Sequence, residues 1–127
     1  MATNFVQPGD VLTYTNATGA AIDAGAVVTL GALGDATLAV ALVDIANGAS
    51  GSVQIRGVFT VPKVSAAVFA QGESLIWDAS AGKFDDNQAT PAAGDVSGSV
   101  IAAAAGANTE TTCKALFLGI PGTLTGS

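Results

Sequence analysis

The side chains able to do chemistry in this chain are few, and their types do not combine into a reactive group. Ten carboxylates face four basic residues, histidine is absent, and there is one cysteine, Cys113. Without imidazole, neither a Ser-His-Asp nor a Cys-His nucleophile system can form, and the commonest metal ligand is missing. One thiol makes neither a zinc knuckle nor an intramolecular disulfide. In "TTCKALFL", Thr111, Cys113, Ala115 and Phe117 share a strand face with no acidic or basic activator, so a buried, inert thiol is expected. Asp85-Asp86-Asn87 could offer clustered oxygens to Ca²⁺. The alternating acids and distal glutamate of a calcium hand are missing, however, and a solvated turn explains the run better. Asp78, with Glu73 or Asp85 across a cleft, could make a two-carboxylate hydrolase. Turn-forming Asp side chains, bonding their own backbone, account for these positions more simply. "GALGDA" lacks the spacing of a dinucleotide loop, and no Gly-Lys-Ser/Thr closes a phosphate loop. No catalytic group, cofactor or metal is expected. Tyr14 and Trp77 could form an aromatic sugar platform, but core plugs with one polar edge near water are favoured.

The elements that would hold these residues are short strands. Glycine recurs every eight to twelve residues or so, the turn spacing of a sandwich or barrel. Strands are expected at 11–15, 26–31, 37–44, 51–59, 74–78 and 111–118, where β-branched and aromatic residues gather. Residues 63–71 fit a short helical turn after Pro62 or a poor strand, the turn being favoured. "GDVLTYTNATG" (9–19) lines up with "GESLIWDASAG" (72–82), and "GDATLAV" (34–40) with "GDVSGSV" (94–100). This reads as an internal repeat of 9–61 and 72–121, with chance likeness among Gly/Ala/Val-rich strands as the alternative. In a repeat, "VIAAAAG" (100–106) becomes a strand and a turn, against its alanine helix propensity. The expected fold is all-β: a compact β-barrel or jelly-roll-like sandwich, two similar β units, and one short helical turn near 64–71. The organisation is an N-terminal arm, 1–8, and a single β domain, 9–127.

A domain of this length buries roughly two thirds of its unfolded surface, enough for one core. Its longest apolar runs fall below the ~18 residues of a membrane helix, and no charged leader start precedes Arg56, so neither membrane nor export is expected. The sequon at Asn16 therefore carries little weight. A net charge of −6 argues against sequence-independent nucleic-acid binding and favours solubility. "MATNFVQPG" carries no charged side chain. Phe5 and Val6 must either fold back on the core or dock on a neighbour, because each is worth roughly 1.5–3 kcal/mol when buried.

The chain resembles the small phage capsid decoration, or cement, proteins. The motifs that carry the likeness are "FVQPGD" (5–10), "VDIANGASG" (43–51), "GVFTVPK" (57–63) and "QGESLIWD" (71–78), in that order. The second half departs from the family pattern at "SVIAAAAG" and at "LFLGIPGTLTGS", which leaves the outer surface and terminal contacts open. A recombinase label attached to the family has no phosphate loop here to support it. The resemblance implies a β unit that clusters, as a homotrimer or a dimer, on the outer surface of an icosahedral virion, made in the host cytoplasm. It implies the major capsid protein as partner, with no nucleic acid or membrane. The neutral arm is then the candidate clamp: Phe5 and Val6 as apolar anchors, with Thr3, Asn4 and Gln7 bonding along a partner strand. Arg56 and Lys63, scarce positives, would salt-bridge to capsid or to a sister subunit, solvated surface roles being the alternative. A glycan- or host-surface-binding module on the virion is the other reading to set against this one.

Overall fold

The computed structural model describes residues 9–31 and 34–126. The arm, with Thr3, Asn4, Phe5, Val6 and Gln7, lies outside the described residues. The fold is all-β, with half the chain in strands and the sheet curled into a half-barrel. Among the described residues ten strands follow in order: β1 (Val11–Thr15), β2 (Val27–Leu30), β3 (Asp35–Ala41), β4 (Ser50–Gln54), β5 (Arg56–Pro62), β6 (Ser74–Asp78), β7 (Lys83–Asp85), β8 (Val96–Ala102), β9 (Thr112–Leu118) and β10 (Gly122–Leu124).

The strands expected at 11–15 and 74–78 form with those bounds, whereas the expected 51–59 is two strands broken at Ile55. Residues 64–67 close one hydrogen-bonded turn, Ala67 N donating to Val64 O at 3.0 Å, and the chain then runs extended to a bridge between Phe69 and Gly106. No residue of that segment is helical. The alanine run ends β8 at Ala102 and bends at 103–104, because cross-strand bonds outweigh a marginal helix preference.

The hydrogen bonds define two units of the same plan. In the first, β1 pairs with β4, β4 with β3 and β3 with β2; in the second, β5 pairs with β9, β9 with β8 and β8 with β6, all antiparallel. β7 is added at the edge of β6. The match extends to the loops: the Ile22–Ile45 bridge of the first unit answers Phe69–Gly106 of the second. This parallel sets β1 against β5 and β2 against β6. The sequence alignment of 9–19 with 72–82 instead sets β1 against β6, two strands alike in being entered from a glycine turn.

The units are nested rather than placed side by side. β3 turns Ala39 and Ala41 into a small cluster with Val28, Ile45 and Val53, the front of the first unit. Its opposite face, Ala36, Leu38 and Val40, packs into the larger cluster formed by the front of the second unit, around Trp77, Phe84, Val100 and Phe117. Phe84 sits edge-on to Phe117 at 6.0 Å between ring centroids and tilted on Trp77 at 4.9 Å, geometries that suit aromatic quadrupoles.

β10 closes the seam. It pairs antiparallel with β3 through Gly122 and Thr123, and with β8 through Thr123 and Leu124. Beside it the buried Ser99 Oγ accepts from Leu38 N at 3.0 Å and donates to Ile120 O at 2.9 Å, joining both units to the C-terminal segment. Gly122 makes this wedge possible, because a Cβ there would strike the backbone of Ser97 and Ser99. Gly122→Ala should therefore force β10 off β8 and lower stability by about 1–3 kcal/mol, the range for overpacking. Urea unfolding measures this, and an unchanged midpoint would show that β10 is not wedged in the seam.

Candidate functional site

The carboxylates singled out above are held by turns. Asp78 Oδ1 accepts from Ser80 Oγ at 2.9 Å and Ala81 N at 3.2 Å. Asp85 Oδ1 accepts from Asp86 N at 2.8 Å, and Asp86 Oδ1 from Gln88 N at 2.9 Å. Glu73 accepts from Ala70 N, and Asp95, nearly buried, takes Ala79 N and Ala92 N on its two oxygens. These are backbone-capping roles, and no cluster of three metal-ligating side chains occurs among the described residues.

The aromatic pair divides. Trp77 is buried against Phe84, a core plug with no face open to a sugar. Tyr14 is half-buried at the rim of the first unit's front cluster. Asn16 of the sequon is fully buried. Its Nδ2 donates to Ala20 O at 2.8 Å and Ile45 O at 3.0 Å, and its Oδ1 accepts from Thr18 N and Oγ1, so no amide is free for a glycan.

The two cations expected at a partner contact have different surroundings. Arg56 Nη1 meets Asp10 Oδ1 at 3.1 Å, with both side chains 58% exposed, so it is a surface ion pair. Lys63 is 0% exposed. Its Nζ donates to Val64 O (2.8 Å), Ser65 O (3.2 Å) and Glu110 O (3.1 Å), leaving the ammonium no surface to offer a partner. Burial is tolerable because all three N–H groups find carbonyls. Lys63 follows β5 as Asn16 follows β1: Lys63 N donates to Thr111 O and Asn16 N to Ala49 O. Each unit thus carries one buried donor tying the end of its first strand to neighbouring loops.

Sequence reasoning missed the most distinctive surface. On the outer face of the second unit, Val58 pairs directly with Leu116, and Leu116 with Ile101. Val58 is 57% exposed and the other two are half-buried. The signal lay in "GVFTV", apolar on both strand faces where a sheet with one wet side alternates. A cavity of about 230 Å³ lies beside the row, between Thr60, Lys114, Ala104 and Glu110. Its acid is a cap, Glu110 Oε1 accepting from Ala107 N at 2.6 Å.

A family model described as phage cement protein matches residues 6–116, and the chain belongs to that family. No curated protein and no solved structure matches it. Family membership makes this a phage structural protein associated with the capsid.

Two outcomes test the placement of the buried polar groups. Lys63→Met keeps the stem but strips three carbonyls of their donor, and should cost about 3 kcal/mol in urea unfolding; loss below the noise would mean water replaces the ammonium. Burial raises the Cys113 thiol from 9.0 to about 11, Lys63 pulling it back down and Glu110 adding to the rise. The native state therefore holds this proton more tightly than the unfolded chain. The resulting stability is complete below pH 9 and is lost as pH rises through about 11. Wild type should lose roughly 2–3 kcal/mol more than Cys113→Ala over that interval, and parallel pH curves for the two proteins would contradict the assignment.

Proposed function

We propose that this protein cements the exterior of an icosahedral bacteriophage head, binding junctions between major capsid protein subunits in small self-associated clusters, trimers in the first instance. The family match over residues 6–116 carries this reading. The geometry supports it, because the carboxylates described above serve turns and the cysteine is a buried thiol, so the molecule offers a stiff surface rather than reagents. A net charge of −6 keeps free copies soluble until they meet a shell. Modest contacts per copy gain strength from repetition over a symmetric lattice.

Within this reading the arm is the clamp, Phe5 and Val6 anchoring while Thr3, Asn4 and Gln7 bond along a partner strand. Arg56 can exchange its exposed Asp10 partner for a capsid carboxylate at little cost, since such surface pairs are worth about 0–1 kcal/mol. Of the two aromatic residues that favoured glycan binding, Trp77 is buried and Tyr14 alone stands half-buried at a rim.

Purified protein mixed with expanded empty heads should co-sediment at a fixed copy ratio and raise the temperature at which the heads break. Deleting residues 1–7 should abolish binding and leave the unfolding transition in place. Heads that neither retain the protein nor gain stability would overturn the reading, and normal binding by the truncated chain would overturn the arm's part in it.

A further inference from the structure

The nested packing inside one chain shows what an outer face of this fold covers. In the first unit the outer row runs across the strands as Val11, Gln54, Val40 and Val27, each paired directly with the next. Val40 and Val27 from that row pack on the front cluster of the second unit. The matching row of the second unit is Val58, Leu116, Ile101 and Ser74, paired in the same order. Leucine stands where the first unit has glutamine, and isoleucine where it has Val40, yet nothing in the chain's described residues packs Val58 away from solvent.

Among the described residues, the complementary half of the same relation is also unfilled. The front cluster of the second unit is lined by Phe59, Val61, Leu75, Trp77 and Phe117 and is sealed by the outer face of β3. The first unit's front has the same plan, with Leu12, Tyr14, Leu30 and Ile55 only half-buried around its five buried residues. The described residues therefore leave exposed a face of the kind that covers and a face of the kind that is covered. Charge runs with the contact: Lys114 lies exposed on the covering face, while Asp23 and Asp44 are exposed on the loops that carry Ile22 and Ile45 to the other.

We propose that copies of this chain associate head to tail, the row Val58–Leu116–Ile101 of one copy seated on the face rimmed by Leu12, Tyr14, Leu30 and Ile55 of the next. The contact is heterologous: an outer face again covers a front, through the β5–β9 half of the row, whereas within one molecule the β3–β2 half of the first unit does so. Such a contact closes into a ring when the rotation per chain allows and otherwise runs on as a filament. The inference deepens the self-association in the capsid reading and rests on it for that part alone: a monomeric wild type that still binds heads would overturn this contact and leave the capsid reading standing.

The test needs no capsids. Val58→Glu places a charge on the covering row at an exposed position, and Tyr14→Glu does the same at the rim of the covered face. Thermal unfolding confirms that each variant is folded, and Leu12→Glu replaces Tyr14→Glu if needed. Sedimentation velocity should show wild type as a discrete multiple of the 12.3 kDa chain if the contact closes, or as a series of growing multiples if it does not, and each variant alone as a monomer. An equimolar mixture of the two variants should recover a species of two chains and stop there, since one intact face remains on each partner. A monomeric wild type overturns the proposal, including the case where the chain's own N-terminal segment covers the front. So does a Tyr14→Glu variant that assembles normally, which would mean a two-fold contact through the outer row alone. A mixture that stays monomeric also overturns it.

Discussion

The burial of β3 on both faces is the constraint from which the rest of the structure follows. A strand in a two-unit protein of this size would ordinarily show one face to water. Here Ala39 and Ala41 fill the first unit while Ala36, Leu38 and Val40 seal the second, so one strand belongs to two cores. Neither unit would have that double layer alone, because isolated small sheets bury too little apolar surface to offset chain entropy. Nesting solves the problem for the second unit and leaves the first with a thinner cover. The asymmetry is visible in the residues themselves: Phe59, Phe69, Trp77, Phe84 and Phe117 all gather in the sealed cluster, and Tyr14 stands at the edge of the other.

Polar groups are spent in keeping this arrangement in register. Ser99 and the narrow β10 wedge fix β3 beside β8, and Lys63 and Asn16 pin the strand ends of their units from inside. Such groups stabilise only when every donor and acceptor is matched, which makes them strict about geometry. A molecule of this kind gains rigidity. That suits a part used in many copies, where affinity comes from number and the requirement on each copy is an unvarying shape.

Much of this could be read from the sequence, for physical reasons that differ by element. The strands at 11–15 and 74–78 were legible because β-branched and aromatic residues gather between glycine turns, and the buried Cys113 because it shares a strand face with Ala115 and Phe117. The family resemblance rested on motifs up to Asp78, and the family match extends to residue 116. The three-residue strands β7 and β10 were not legible, since a stretch that short shows no period. Lys63 was read as a cation bridging to capsid or a sister subunit, with a solvated surface role as the alternative, and both need an exposed ammonium. Its burial depends on Val64 O and Ser65 O of the turn that follows it meeting Glu110 O from a distant loop, which no local pattern announces. The structural parallel of β1 with β5 was masked by the stronger local likeness of two glycine-entered strands. The outer row of Val58, Leu116 and Ile101 is assembled from three strands and becomes a surface only once they pair.

A cryo-electron microscopy map of mature particles, sharp enough to trace strands, would test the account most directly. It should show this chain outside the shell over the joints between major capsid protein subunits, with β3 sandwiched between its two cores. Particles that carry the chain only on the inner surface, or mature particles that lack it, would contradict the account at its root.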